Sequence, residues 1–345
     1  MKYKVGMFGG SFDPLHIGHI HDIIRAASVC ETLYVVISWC CGRESVQKET
    51  IYRWILYSTK HLHNIEIILV EDKAGSKEDY NTDFYWQNGA LDIKKKIGKK
   101  IDAVFCGTDY LGTNRFESLY KPDSEVVYFD RHEVPISSTQ IRFDPYEQWQ
   151  YLPQVCREYY AKRVLIVGSE STGKTTLVQN LALAYNTNYI AEVGRETCEN
   201  AGGEYYMNAD DMLENFICQK AEEIKAVRLC NRLLFIDTDA ITTKFYSQLL
   251  LKDKNEIERC NCLADAITGW QKFDLVFFLE PTVDFVQDGT RNEDINANRL
   301  LYSDKLKQLF IDAKIELISL NGSYQERFDN AKVAIEKYLH IKTVW

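Results

Sequence analysis

The chain has 345 residues, a length that favours two domains over one. Its net charge of −9 gives no support for nucleic-acid binding, and no apolar run is long enough to span a bilayer. The N-terminal segment lacks a signal-peptide core. We therefore expect a cytoplasmic protein without nucleic-acid or membrane partners, in which the ten scattered cysteines are reduced thiols.

The first predicted elements are an apolar strand at residues 3–8 and a helix at 17–27. The loop between them, GGSFDPLHIGH at residues 9–19, carries His16 and His19, which the first helical turn places on one side. Imidazoles can donate hydrogen bonds to phosphate there, where the helix dipole favours anions. A histidine pair alone is more often structural, but the whole string is a strong signal. The predicted nucleotide contacts of this loop are Gly9, Gly10, Ser11 and Phe12.

Three further strands are predicted at residues 33–39, 65–70 and 101–106. A helix between the first two carries Arg53, which could hold a phosphate. The aromatic group that includes Trp86 precedes the last of these strands, and an aromatic residue at this place is equally consistent with a core position.

The loop at residues 9–19 resembles the H-x-G-H signature of the nucleotidylyltransferase superfamily. Members join a nucleoside triphosphate to a phosphate-bearing acceptor and release pyrophosphate. The second signature of the superfamily is found at residues 136–142, ISSTQIR. Ser137, Ser138 and Thr139 are predicted to cap a helix and to present donors to phosphate. Arg142, four residues after Ser138, is predicted to neutralise charge on the leaving pyrophosphate.

An acceptor phosphate is already anionic, so this transfer needs no carboxylate base. Catalysis then reduces to positioning and charge stabilisation by His16, His19 and Arg142, with Mg²⁺ carried by the ATP. The first domain is predicted to span residues 1–143. Residues 144–161, with two prolines and many aromatics, are too apolar for a free tether and predict an ordered linker packed against one or both domains.

The second domain, predicted at 162–345, opens with a buried strand at 164–167 and the sequence GSESTGKT. This is the complete G-x-x-x-x-G-K-[ST] pattern in a strand–loop–helix setting. Lys174 can reach the β- and γ-phosphates of ATP, and the Thr175 hydroxyl can bind Mg²⁺. The predicted nucleotide contacts are Gly168, Ser169, Ser171, Thr172, Gly173, Thr175 and Thr176.

A strand is predicted at 189–193. Glu192 and Arg195 lie at its end, beside the phosphate loop, where they can contact a sugar or an acceptor. A long helix is predicted at 210–228. The strand at 233–236 ends in Asp237 and Asp239, the Walker-B arrangement. Asp237 is the predicted metal ligand, and either aspartate could accept the proton of the acceptor hydroxyl.

The last predicted elements are strands at 273–279 and 315–320 and a helix at 324–339. Between the two strands, Arg291 is predicted to act in a lid that covers the transferring phosphate. Arg299 fits either this lid or an ordinary surface position. The predicted fold class is α/β, with two Rossmann-like doubly wound parallel-sheet domains, an H-x-G-H nucleotidylyltransferase domain and a P-loop kinase domain.

The order of these motifs resembles the NadR-type bifunctional family over nearly the whole chain. The resemblance implies that the second domain phosphorylates ribosylnicotinamide with ATP. It also implies that the first domain adenylylates the resulting nicotinamide mononucleotide to NAD. Trp86 would then stack on the nicotinamide ring.

Two features depart from the family. Some relatives carry an N-terminal helix-turn-helix and act as repressors, whereas this chain opens on its first strand, so repression is not expected. Relatives place a tryptophan where this chain has Ala191, and the candidate substitutes are Tyr189, Tyr205 and Tyr206. The alternatives are a phosphopantetheine adenylyltransferase fused to dephospho-coenzyme-A kinase and a low-turnover nucleotide sensor. A homo-oligomer is compatible with each of these functions.

Overall fold

The structure is a computed structural model that describes residues 1–286, 295 and 297–344. The chain divides into two compact units, Met1–Cys156 and Arg157–Trp345. The division falls inside the segment assigned above to a linker, and the domain limits 1–143 and 162–345 stay predictions. Within the described ranges, no helix has the length and apolar character needed to cross a membrane.

A five-stranded parallel sheet forms the centre of the first unit. Its strands are β1 (Tyr3–Gly10), β2 (Cys30–Trp39), β3 (Ile65–Glu71), β4 (Ala103–Gly107) and β5 (Glu125–Phe129). The strand order is β3-β2-β1-β4-β5, so the chain reverses direction across the sheet between β1 and β4. The central strands are apolar on both faces because helices cover both sides of the sheet. A ligand is expected where the order reverses, at the carboxyl ends of these strands.

The helices up to the start of the second unit follow in chain order. They are α1 (Ile17–Val29), α2 (Lys48–Thr59), α3 (Lys77–Tyr80), α4 (Asp83–Ile97), α5 (Arg115–Tyr120), α6 (Ser138–Phe143) and α7 (Gln154–Tyr160), with 3-10 turns at Thr108–Tyr110 and Trp149–Tyr151. In the predicted linker, Trp149, Leu152 and Cys156 are buried, and the Cys156 thiol donates to the Leu15 carbonyl. That segment is therefore folded onto the first unit as far as Cys156.

The second unit has its own five-stranded parallel sheet, in the order β10-β9-β6-β8-β7. Its strands are β6 (Lys162–Gly168), β7 (Tyr189–Ile190), β8 (Leu233–Asp237), β9 (Leu275–Leu279) and β10 (Ile318–Leu320). Its helices are α8 (Lys174–Ala184), α9 (Val193–Ala201), α10 (Ala209–Ala226), α11 (Ala240–Leu250), α12 (Lys254–Trp270), α13 (Arg299–Asp312) and α14 (Tyr324–Leu339), with a 3-10 turn at Glu204–Tyr206. The predicted α/β class is confirmed for both units.

The strand predicted at 189–193 is too long. Only Tyr189–Ile190 pairs with β8, and helix α9 begins at Val193 with Glu192 as its N-cap residue. The pairing ends there because the chain turns out of the sheet to enter the helix. All ten cysteines are free, in agreement with the expected reduced thiols.

Candidate active sites

A cavity of about 770 Å³ opens at the carboxyl ends of the strands in the first unit. Gly9 and Gly10 at the end of β1, Ser38 on β2 and Gly107 on β4 lie on its wall. Of the predicted site residues, the structure brings together there Gly9, Gly10, Ser11, His16, His19, Trp86, Ser137, Ser138, Thr139 and Arg142. Phe12 is instead a buried anchor, packed edge-on against the His19 ring at 5.0 Å.

The two histidines stack on each other at the start of α1, with ring centroids 3.6 Å apart. His16 is the N-cap residue, and its Nδ1 accepts a hydrogen bond from the His19 backbone N–H at 3.3 Å. Gly18 allows this arrangement, because a Cβ there would lie 3.1 Å from both Cε1 and Nδ1 of His16. Since Nδ1 accepts, the proton of a neutral His16 ring lies on Nε2.

Both imidazoles are uncharged at neutral pH. Burial, and then the positive charge of Arg131, lower the pKa of His16 to about 3. Burial, then the charges of His16 and Arg131, lower the pKa of His19 well below its usual range. His16 Nε2 and His19 Nδ1 are buried, and neither has a hydrogen-bond partner among the described residues. His16 therefore presents an unused neutral N–H donor, which suits an anionic oxygen.

The second signature, at residues 136–142, is hydrogen-bonded to the loop at residues 9–19. Arg142 donates to the Asp13 backbone carbonyl and, at 3.1 Å, to Thr139 Oγ1. The Ser138 hydroxyl donates to the Pro14 carbonyl at 3.0 Å, and Ser137 caps α6 in a reciprocal pair with Gln140. The prediction that all three hydroxyl residues cap the helix is therefore wrong, since only Ser137 does. Ser138 bonds directly to the first signature, and Thr139 accepts from Arg142, which also bonds to it.

Aromatic side chains line another part of this cavity. Trp86 meets Tyr110 and Phe116 edge-on at 5.7 and 5.6 Å, and its indole N–H donates to the Tyr80 carbonyl at 2.7 Å. Trp86 also packs against the buried cluster beneath the sheet. Trp86 therefore contributes to the core and also lines the cavity, and its stacking on nicotinamide stays a prediction.

Arg53 does not reach this cavity. It lies exposed on α2, on the opposite side from the buried Ile51, Trp54 and Ile55, so the structure gives no support to a phosphate contact. Arg43 and Arg131, for which sequence reasoning had no motif, line the cavity instead.

These two arginines are held by carboxylates. Arg131 pairs with Asp109 at 3.0 Å. Arg43 lies between Glu44 and Asp72 at 2.7 and 2.9 Å. The only hint in the sequence is that Arg131 follows shortly after a strand end.

The phosphate loop of the second unit joins β6 to α8. Gly168 and Gly173 have φ of +155° and +85°, and a Cβ at Gly168 would lie 2.8 Å from the Leu279 carbonyl oxygen. Lys174 is 8% exposed, and its ammonium donates to the Ser169 carbonyl within the loop at 3.2 Å. Thr172 closes the loop through a bond from its hydroxyl to the same carbonyl at 2.8 Å.

The Walker-B aspartate meets the loop directly. Thr175 Oγ1 donates to Asp237 Oδ2 at 2.6 Å, and Asp237 is fully buried. Burial, and next the negative charge of Glu192, raise the pKa of Asp237 to about 7, against the opposing effects of Lys174 and Arg195. Asp237 Oδ1 has no hydrogen-bond partner among the described residues. The nearby positive charges therefore do not fully compensate the negative charge of this carboxylate.

The two aspartates have different surroundings. Asp239 is the N-cap of α11, and its Oδ1 accepts from the backbone N–H and the hydroxyl of Thr242 at 3.1 and 3.0 Å. Burial raises the pKa of Asp239 to about 6. Because Asp239 serves the helix terminus, Asp237 is the better candidate for the chemistry.

A cavity of about 100 Å³ lies beside the phosphate loop. Ser171, Lys174, Glu192 and Arg195 line it, so the structure brings the predicted acceptor residues to the predicted lysine. Thr176 is exposed and does not line it. Glu170, Glu204 and Tyr246, which sequence reasoning did not select, also line this cavity.

None of the tyrosines suggested as substitutes at position 191 lines this cavity, which is bordered instead by Tyr246 on α11. Tyr189, Tyr205 and Tyr206 are exposed. Arg299 is not an ordinary surface residue, since it donates to the Ser171 carbonyl at 2.8 Å. Arg291 lies outside the described residues.

Comparison with known proteins agrees with this geometry. Residues 7–143 match the cytidylyltransferase-like family, and residues 163–327 match the AAA domain family. The trifunctional NAD biosynthesis/regulator protein NadR of Escherichia coli K12 is 28% identical over 95% of this chain and 81% of its own length. In sequence and in the order of its two matched domains, this chain is similar to the NadR proteins.

Two crystal structures of NadR proteins share the fold. One, in complex with NR, has a TM-score of 0.80 at 24% identity and covers 99% of this chain and 97% of its own. The other, in complex with NAD and AMP-PNP, has a TM-score of 0.77 at 23% identity, with 98% and 97% coverage. Each match extends over both units of this chain.

Proposed function

We propose that this chain makes NAD in two ATP-dependent steps, first phosphorylating ribosylnicotinamide and then adenylylating nicotinamide mononucleotide. The observation that carries this proposal is the presence of two separate cavities, each at the carboxyl ends of its own parallel sheet and each lined by residues of a predicted phosphate-binding motif. The NadR relatives, which match both units, are NAD biosynthesis proteins by name.

In the first step, the 5′-hydroxyl oxygen of the nucleoside attacks the γ-phosphorus of ATP, and the bond to the bridging oxygen of ADP breaks. Lys174 stabilises charge on the transferring phosphoryl group. The hydroxyl proton passes to a carboxylate, for which Asp237 and Asp239 are the two candidates. Glu192 and Arg195 position the nucleoside in the acceptor cavity.

The acceptor cavity has a charge suited to this nucleoside. Glu170, Glu192 and Glu204 line it, against the cations Lys174 and Arg195. Ribosylnicotinamide carries a positive charge on its pyridinium ring, so an excess of carboxylates favours it over an uncharged nucleoside.

In the second step, a phosphate oxygen of nicotinamide mononucleotide attacks the α-phosphorus of ATP, and pyrophosphate leaves. No proton has to be removed from this acceptor. The neutral Nε2–H of His16 donates to a phosphate oxygen, His19 shapes the same turn, and Arg142 stabilises charge on the leaving group. Trp86 offers its ring to the nicotinamide.

The residues of the second unit fit Mg²⁺. Thr175 and Asp237 present a hydroxyl and a carboxylate oxygen beside Lys174, and the buried carboxylate lacks a compensating charge. These two residues would hold the ion, which when bound neutralises phosphate charge. Among the described residues there is no group of three or more His, Cys, Asp or Glu that could hold a metal ion.

The test is incubation of the purified chain with ATP, Mg²⁺ and ribosylnicotinamide. We expect NAD, ADP and pyrophosphate in equal amounts. Phosphopantetheine and dephospho-coenzyme A, supplied in parallel, should give no product. Turnover of those compounds, or ATP binding without any product, would overturn the proposal in favour of the coenzyme-A fusion or the nucleotide sensor, respectively.

A further inference from the structure

Asn215 is a buried amide on α10 that lines the cavity beside the phosphate loop of the second unit. The residue is 5% exposed, and the Thr197 hydroxyl donates to its Oδ1 at 2.6 Å. Among the described residues, its Nδ2 has no hydrogen-bond partner. Leaving an amide donor unpaired in a buried position is costly, so an acceptor that the protein does not supply is expected there.

The contact with Thr197 fixes which end of the amide faces the cavity. A separation of 2.6 Å is typical of an O–H···O hydrogen bond and is too short for an N–H···O bond. Thr197 lies on α9 and is itself buried, so its hydroxyl is held in place. Because Oδ1 is turned towards Thr197, the two protons of Nδ2 are left for a partner on the other side.

Gly194 leaves room next to this donor. A Cβ at position 194 would lie 3.4 Å from Asn215 Nδ2, and Gly194 lines the same cavity. The φ of Gly194 is not positive, so its backbone conformation does not require glycine. What the glycine provides is space, and Nδ2 stays open to the cavity because no side chain covers it.

The next turn of α10 shows where along the cavity Asn215 lies. Gln219, four residues later, donates from Nε2 to the backbone carbonyls of Asp237 and Thr238 at 3.1 and 3.3 Å. Four residues of helix rise by about 6 Å. In the other direction, Met212 lines the cavity and belongs to a buried apolar cluster. Asn215 therefore lies one turn away from the Walker-B aspartate, where the cavity becomes apolar.

This distance matches a nucleoside whose 5′-oxygen faces the phosphate loop. In the proposed kinase reaction, phosphoryl transfer takes place beside Lys174, so a group about 6 Å further along belongs to the sugar or the base. Ribose hydroxyls can donate to a carboxylate such as Glu192, which also lines the cavity. The carbonyl oxygen of a base carboxamide only accepts, and Nδ2 of Asn215 only donates. The carboxamide is therefore the complementary group.

We propose that Asn215 is a specificity-determining residue that donates from Nδ2 to the carboxamide oxygen of the nucleoside base. This inference rests on the proposed ribosylnicotinamide kinase activity and adds the residue that recognises the substituent on the pyridinium ring. Thr197 holds the amide in the donating orientation, and Gly194 keeps the space in front of it open. Recognition of the ring charge is separate, since a pyridinium nucleoside without the carboxamide carries the same charge.

The test measures kcat/KM for phosphorylation of ribosylnicotinamide and of ribosylpyridinium, the same nucleoside without the carboxamide. For the wild-type chain we expect a ratio of about ten in favour of ribosylnicotinamide, which corresponds to one hydrogen bond. In Asn215→Ala the ratio should fall to about one, through a loss on ribosylnicotinamide alone. The KM for ATP should stay unchanged.

A second variant and a matched control accompany this comparison. Asn215→Asp keeps the shape of the side chain and the acceptor for Thr197, but it replaces the donor with an oxygen. Its added charge acts on both cationic nucleosides alike, so the ratio should again fall to about one or below. Glu214→Ala, on the exposed side of the same helix, should keep the wild-type ratio. If Asn215→Ala does not fold, Asn215→Asp decides by the same ratio.

The outcomes separate this inference from the proposed function. An equal loss on both nucleosides in the Asn215 variants would show a purely structural role, and a wild-type chain that does not distinguish the two nucleosides would equally overturn the inference. A wild-type chain that phosphorylates neither nucleoside would instead overturn the proposed function, and the inference with it. Adenylylation by the first unit should be unchanged in every variant, which shows that the chain is folded.

Discussion

The two units, which we propose to bind the same chemical group, a row of anionic phosphate oxygens, differ in the electrostatics of their cavities. In the first unit the groups nearest the start of the helix are stacked imidazoles that stay neutral, while Arg131 and Arg142 contribute charge at the cavity wall. In the second unit a cation, Lys174, lies at the centre of the loop, and a buried carboxylate lies beside it. Under the proposed activities, a central cation serves transfer of the γ-phosphoryl group, whereas neutral donors with flanking arginines serve displacement at the α-phosphorus.

Loss of the central cation should have the largest effect. Lys174→Ala is expected to lower the rate of ribosylnicotinamide phosphorylation by about 10³-fold, because the transferring phosphoryl group loses its main stabilising charge. Adenylylation of nicotinamide mononucleotide should be unchanged. Both activities are measured separately in the same preparation, and a variant that loses both would contradict independent sites.

Loss of an imidazole should have a smaller effect that an uncharged donor can offset. His16→Ala is expected to lower adenylylation by about 10²-fold. His16→Gln should retain clearly more activity, because its amide can donate from near the position of Nε2. The matched variant Lys174→Gln should show no such recovery in the kinase assay. Equal losses in His16→Gln and His16→Ala would disprove the neutral-donor role.

A substitution among the aromatic residues that line the first cavity should affect only the binding of the acceptor. Trp86→Ala is expected to raise the KM for nicotinamide mononucleotide about tenfold, in line with the loss of one stacking contact. The KM for ATP in the same reaction should stay constant, and Trp86→Phe should be intermediate. An unchanged KM for the acceptor would show that Trp86 serves only as a core residue.

The last comparison concerns pH and stability, not activity. Because the folded state lowers the pKa of His16 and His19, the unfolded chain binds more protons below about pH 6.5, and the first unit loses stability as the pH falls. Between pH 7 and 5 the loss should be about 2 kcal/mol for each histidine. Urea unfolding, followed by loss of adenylylation activity, measures it. His16→Gln should show about half the pH dependence; a slope equal to that of the wild type would exclude the buried neutral state.

Local signals in the sequence were enough to locate both candidate sites. The spacing of His16 and His19 and the residues of the phosphate loop are short-range patterns, so strand, turn and helix follow from neighbouring residues. The periodicity of Ile51, Trp54 and Ile55 could also have shown that Arg53 faces solvent.

The other site residues depend on tertiary structure. Arg43, Arg131 and Tyr246 reach their cavities from separate elements with no motif of their own. The short strand β7 ended early because its edge position leaves only one neighbour, β8, to pair with. Asp239 could not be told from Asp237 in sequence, since only the observed cap at Thr242 distinguishes them.

The glycine between the two histidines bears on how this chain tolerates substitution. Any side chain at position 18 would press on the His16 ring, whereas Ile17 faces solvent at 37% exposure. A library randomised at both positions and selected for NAD formation should therefore keep glycine at 18 and accept many residues at 17. Position 18 would then accept no side chain, whereas the neighbouring position 17 would tolerate almost any residue.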